Sequence, residues 1–159
     1  SGPDAAVPNI YNGKTIMLCE TELTRSDLLK RAENLLKKLN MVVRHMNPVA
    51  HDKHIAYVSH LSHITSFMLG KTVLEKEPDE QNIFDMAGSG FASTVRLAKS
   101  SPEMWMPIFI QNKHNVLETL NEYISNLNLF KEKLEAEAVE ELLAEMKYIN
   151  KIGTILEHK

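Results

Sequence analysis

One arginine, Arg96, lies in the run GSGFASTVRLAKSSPEMW, from Gly88 to Trp105, among Phe91, Val95, Leu97 and Ala98. A guanidinium does not shed its charge. Among apolar neighbours it either snorkels to the surface or meets something anionic. Gly88 and Gly90 open the run and free the backbone ahead of a helix start, where exposed N–H groups favour anions. Trp105 reads equally well as plain core.

The second concentration of chemistry is HDKHIAYVSHLSHITSFMLGKTVLEK, residues 51–76, with His51, His54, His60 and His63. Metal ligation is the first chemistry to weigh. On a helical wheel the four point toward roughly 0°, 300°, 180° and 120°. No two have the i, i+4 spacing of a helical zinc pair, so no metal site is expected. Asp52, Ser59, His63 and Ser66 instead gather in a stripe about 60° wide. Ile55, Val58, Leu61, Ile64, Phe67, Met68 and Leu69 cover most of the remaining circumference, which implies a helix buried on most sides. A polar stripe on such a helix needs partners. It either knits the core together or lines a polar pocket, and spacing leaves both open. Cys19 stands alone, so there is no disulfide framework, and it reads as an inert strand residue.

These residues need elements to position them. KTIMLCE (14–20) and MVVRHM (41–46) read as short strands. Between them Thr24 and Asp27 stand in capping-box positions ahead of a helical leucine pattern that ends at Asn40. A β-α-β opening implies parallel strands, which are normally part of a wide, doubly covered sheet. Two strands and one helix bury too little to stand alone, so the chain is expected to start inside a domain of a longer protein. The rest reads as helices: 51–76, 81–88, 91–100, Ser101 to about Lys131, and roughly 132–152. Pro102 follows the Ser101 cap at the first helical position, and Pro107 is expected to bend that helix. Its inner face carries Phe109, Val116, Leu117, Leu120, Ile124 and Leu127. Val139, Leu142, Met146 and Ile149 repeat in threes and fours like a packing seam.

The 159 residues carry a net charge of −3 with acids and bases interspersed. That gives no basic footprint for nucleic acid and no polybasic patch for a membrane. No apolar run approaches the roughly 18 residues of a membrane span. No signal-peptide pattern opens the chain, so a reduced, cytoplasmic setting is the default expectation.

HDKHIAYVSHLSH followed by GSGFASTVRLAKSSPEMWMPIFIQN resembles the prephenate and arogenate dehydrogenases of tyrosine biosynthesis. That family carries a histidine-aspartate and a Ser-His-Leu-Pro-His-like run. A Gly-Phe segment ending in Thr-Arg-Ile-Ala, a Pro-x-x-Trp and an asparagine follow. Order and spacing match from His51 to Asn112. The resemblance implies a mainly α fold, a helical dimerisation domain preceded by a β-α-β remnant of a Rossmann nucleotide-binding domain. Residues 1–48 would be the tail of that domain, and 49–159 the substrate-binding and dimerisation domain. The implied reaction is NAD- or NADP-dependent oxidative decarboxylation of prephenate to 4-hydroxyphenylpyruvate, or the corresponding reaction of arogenate. The implied partner is a second copy of the chain.

Carried over residue by residue, Arg96 would pair with a substrate carboxylate. His63 would hydrogen-bond the substrate with Ser59 beside it, and His51 and Trp105 would line or support the pocket. The family's catalytic histidine would lie upstream of Ser1, and no G-x-G-x-x-G is present. This stretch alone is therefore expected to be inactive and to bind no cofactor. Three positions depart from the family pattern. Ser62 replaces a proline, Ala92 and Ser93 replace a basic residue and an aspartate, and Val95 replaces the threonine before the arginine. The rival reading is a non-enzymatic helical dimerisation module.

Overall fold

The computed structural model describes residues 6–78 and 82–157. The chain divides into two compact units, Ser1–Ile55 and Ala56–Lys159.

The first unit holds β1 (Thr15–Leu18), α1 (Ser26–Lys38), β2 (Val42–His45) and α2 (Pro48–Ile55). β1 and β2 run parallel, with Thr15 opposite Val42 and Leu18 opposite His45. Ile16, Leu18 and Val43 take the more covered face of the pleat, and α1 turns Leu29, Glu33 and Leu36 inward. Asn40 stops α1 as its sequence suggested. It takes a left-handed φ of 56°. The Met41 N–H then reaches the Leu36 carbonyl and the Asn40 N–H the Lys37 carbonyl, closing the last turn. The expected capping box does not form. The helix begins one residue later, with Arg25 as the cap residue. The Arg25 guanidinium takes Asp27 through two hydrogen bonds of 3.0 and 2.7 Å and holds its carboxyl below the usual range. α2 starts three residues before His51, because the Asn47 side chain accepts from the Val49 N–H and Pro48 fills the first helical position.

The second unit opens with a π-helical turn, Ala56–His60, then α3 (Leu61–Lys76). A 3₁₀ turn at Phe84–Met86 stands where a helix over 81–88 was expected, and Gln81 of that stretch lies outside the described residues. α4 (Ser89–Thr94) and a 3₁₀ turn, Arg96–Lys99, follow in place of one helix over 91–100. α5 (Pro102–Gln111), α6 (Lys113–Glu135), α7 (Val139–Ile149) and α8 (Lys151–Glu157) complete the unit. Ser101 caps α5 by accepting from the Met104 N–H. The helix passes through Pro107 and breaks at Asn112 instead. α6 ends four residues beyond Lys131, where Glu137 takes a φ of 51°. The Ala138 and Glu137 N–H groups return to the Lys133 and Leu134 carbonyls, the same closure as at Asn40. A glutamate rarely occupies that conformation, so this stop has little signal in the sequence.

Among the described residues, Ala56, Trp105 and Val116 are the buried apolar side chains, with His60, Ser66 and Thr119 buried beside them. The expected inner face of α6 is covered as far as Leu120. Leu117, Ile124 and Leu127 are about half exposed. α3 is also less enclosed than its composition suggested, since Val58 before it and Met68 and Leu69 on it stay exposed. The chain is thus mainly helical, with a two-stranded parallel sheet ahead of the helices. No helix among the described residues is long and apolar enough to cross a membrane.

Candidate functional site

α3 carries the polar residues, and the π-turn before it sets their start. Five residues in π geometry take a wider turn than an α-helix, so a wheel drawn at 100° per residue does not hold across Ala56–His60. Asp52 belongs to the first unit, where its carboxylate lies 3.0 Å from Nδ1 of His51. His51 is described there and not with the other candidate residues.

Within the second unit, His63 Nδ1 lies 2.9 Å from the Ser59 carbonyl oxygen. A carbonyl only accepts, so Nδ1 carries the hydrogen and Nε2 is left for another partner. The His63 ring lies flat on Trp105, with centroids 3.5 Å apart and planes 27° apart. His60 meets the same indole edge-on at 6.1 Å and Phe109 at 6.3 Å. Its Nδ1 accepts from the Asn112 side-chain amide at 3.3 Å, and the Asn112 oxygen accepts from Asn115 at 2.7 Å. The residue that breaks α5 from α6 therefore also fixes the buried histidine behind Trp105. From the sequence, His60 stood only among the four histidines weighed for a metal, and Asn112 only as the end of the family pattern. The signal was present in His60, which points away from the polar stripe toward the apolar side of the wheel.

Ser66 is 2% exposed. Its hydroxyl donates to the Thr94 carbonyl at 3.0 Å and accepts from the Ala98 N–H at 3.0 Å. Within the stripe Ser66 thus knits the core, while His63 packs on the indole. Arg96 lies between those two anchor points. It is exposed and makes no hydrogen bond or ion pair among the described residues. It begins the 3₁₀ turn and does not ride on the helix opened by the glycines. That helix has six residues, and Gly88 sits in ordinary extended backbone, so the expected anion-binding helix start is not there.

Trp105 is buried, and its Nε1–H is a buried donor with no hydrogen-bond partner among the described residues. Such a donor costs about 1–3 kcal/mol until an acceptor meets it. Trp105 also lines an apolar groove of about 390 Å³ with Ile64, Phe67, Met68, Lys71, Pro102, Met106 and Phe109. His63 and Trp105 are thus in contact, with the histidine tautomer set by the Ser59 carbonyl, and Arg96 stands exposed on a turn that Ser66 pins to the same helix.

The model of the prephenate dehydrogenase dimerization domain matches residues 47–148. The chain is 29% identical over 142 residues to the prephenate dehydrogenase of Bacillus subtilis, covering 89% of this chain and 38% of that protein. It superposes with a TM-score of 0.87 and 33% identity on the prephenate dehydrogenase of Aquifex aeolicus in complex with hydroxyphenyl propionate and NAD+, covering 96% of this chain and 54% of that one. The arogenate dehydrogenase of Synechocystis shares the fold, with a TM-score of 0.75 at 23% identity over 92% of this chain and 54% of that one. The chain thus spans about half the length of these proteins or less.

Proposed function

The chain belongs to the prephenate dehydrogenase family, and from that premise we propose that it is the substrate-holding and dimerising part of an enzyme that converts prephenate to 4-hydroxyphenylpyruvate. In that reaction the ring alcohol loses hydride to NAD or NADP, the ring carboxylate leaves as carbon dioxide, and the ring becomes aromatic. Among the described residues no glycine-rich turn follows β1 or β2, so we place the dinucleotide cradle outside this stretch. Cofactor and hydride transfer belong to the nucleotide-binding domain, whose last part we take to be residues 1–48. Residues 49–159 hold the substrate and pair with a second copy, and this chain alone is not expected to turn over.

The observation that carries the reading is the free guanidinium of Arg96 on a turn anchored to the helix of His63. A guanidinium grips a carboxylate with two parallel hydrogen bonds, which a lysine cannot copy. Prephenate offers two carboxylates. His63 hydrogen-bonds the substrate through Nε2, Trp105 backs the ring, and Ser59 supports the pocket. Dimerisation is supported by the apolar side chains exposed along α7 and α8, among them Val139, Met146, Ile149, Ile152 and Ile155. Apolar exposure on this scale marks a protein–protein surface.

The test is Arg96→Ala in the complete enzyme. Losing one partner of a hydrogen-bonded charge pair costs about 2–5 kcal/mol, roughly 30-fold to several thousand-fold in affinity. The KM for prephenate should rise by that much, with cofactor affinity and Tm nearly unchanged, and Arg96→Lys should recover only part. Normal prephenate binding by Arg96→Ala would remove the central element of the reading. Running the same assay with arogenate decides between the two substrates.

A further inference from the structure

We propose that Ser66 is the positioning residue for Arg96, a buried hydroxyl that fixes the turn presenting the guanidinium; this rests on the reading of Arg96 given above. A 3₁₀ turn of four residues has few bonds of its own and poor hydrogen-bond geometry. Left to itself it would let the arginine wander. Ser66 Oγ takes hold of the turn on both sides of Arg96, two residues before it at the Thr94 carbonyl and two after it at the Ala98 N–H, each at 3.0 Å. The Ala98 N–H is shared, since it also reaches the Val95 carbonyl at 3.0 Å. The Thr94 bond is therefore the less replaceable of the two. One turn further along α3, Ala98 lies beside Gly70, with an ordinary 3.8 Å between the Ala98 methyl and the place a Cβ would occupy.

The arrangement couples the two candidate ligand-holding groups. Ser66 lies three residues beyond His63, a rise of about 4.5 Å along α3. A single rigid helix thus carries the histidine on one turn and, through a hydroxyl on the next, the anchor of the arginine. Serine suits the place because its hydroxyl donates and accepts at once. Alanine there would leave the Thr94 carbonyl short of a partner and the turn free to shift.

A double-mutant cycle reads this directly. The probe is 4-hydroxyphenylpropionate, titrated into the complete enzyme, alongside the KM for prephenate. Ser66→Ala should weaken binding about tenfold, the scale of one lost buried hydrogen bond, with the KM for the cofactor unchanged. In an Arg96→Ala background the same change should cost nothing further, because Ser66 acts only through the arginine. Ser66→Thr keeps the hydroxyl and should recover most of the affinity if it folds. An equal loss in both backgrounds, or no loss in either, overturns the proposal and leaves Arg96 as the carboxylate ligand. A Ser66→Ala protein that does not fold, while Ser66→Thr folds and binds no better than Arg96→Ala, overturns it as well. If Arg96→Ala itself binds the probe normally, the reading of the site has failed, and the positioning role falls with it.

Discussion

The helical unit is held together differently on its two sides. Around α3 and the start of α6 the buried polar side chains His60, Ser66 and Thr119 find partners within the chain: Ser66 on Thr94 and Ala98, His60 on Asn112, Thr119 on Asn115. The Trp105 Nε1–H is the one buried side-chain donor without a partner among the described residues. From Ile124 through α7 and α8 the relation reverses, and large apolar side chains stand exposed at 40–68%. The first side is finished by its own sequence apart from that one donor; the second has apolar surface that no described residue covers. A site that must hold a charged ligand in one geometry needs satisfied polar neighbours to stay rigid. A surface that will close against another copy needs apolar area free for it.

The most forceful way to break that contrast is to charge the open side. Ile149→Glu with Ile152→Glu would place two carboxylates in the proposed dimer surface. Disrupting well-placed interface residues costs at least about 2 kcal/mol each, so the dimer should weaken by more than about a hundredfold. Sedimentation at micromolar concentration should then give the monomer mass. The fluorescence of Trp105, the single tryptophan, should stay as it was. A wild-type chain already monomeric under those conditions would refute the open side as a dimer surface.

The opposite change belongs to the finished side. Asn112→Ala removes the donor to His60 and the acceptor for Asn115. With His60 only 6% exposed, the lost pairing should cost about 1–3 kcal/mol, several degrees in Tm. Trp105 emission should shift, because the histidine at its edge is released, and the oligomeric state should not change. A lowered Tm with unaltered emission would mean that His60 does not hold the indole in place.

A gentler change should sharpen the same side. Gly70 has an ordinary negative φ, and a Cβ there would meet the Ala98 methyl at a normal 3.8 Å. Gly70→Ala should stabilise α3 by about 1 kcal/mol through helix propensity alone, read as a rise in urea midpoint with unchanged slope. A fall would show that the turn carrying Arg96 packs more tightly on α3 than this spacing allows.

The elements were legible where one local signal settled them. Asn40 announces the end of α1, Ser101-Pro102 the start of α5, and short apolar runs the two strands. The motif residues Arg96, His63 and Trp105 were legible as candidates through the family pattern. Their roles were not, because each depends on a partner distant in sequence: Ser66 reaches 28 and 32 residues to Thr94 and Ala98, and Asn112 reaches back 52 to His60. The π-turn was invisible because nothing in AYVSH marks a widened turn. The break at Asn112 was not legible either, since no glycine or proline marks it; α5 runs on through Pro107.

The smallest effect tests whether the open side has any polar fastening of its own. Lys133 of α6 meets Glu145 of α7 at 2.6 Å, both about one-third exposed, across the turn closed by Glu137. The Glu145 carboxylate raises the Lys133 ammonium above its ordinary value of 10.5. A raised value in the folded chain means that the pair's contribution is fully present below about pH 10.5. It is lost as the pH climbs through the raised value. Lys133→Met keeps most of the side-chain stem and removes the charge. Its Tm should lie slightly below wild type at pH 8, by less than Gly70→Ala raises it, and the gap should close as the pH passes 10.5. Partly exposed pairs contribute little, so the size of the gap decides nothing; its pH dependence does. A gap that stays constant from pH 8 to 11.5 would assign it to lost packing against the stem. The α6–α7 hairpin would then be held by its Glu137 closure and apolar contacts, and the open side would have no polar fastening comparable to Ser66.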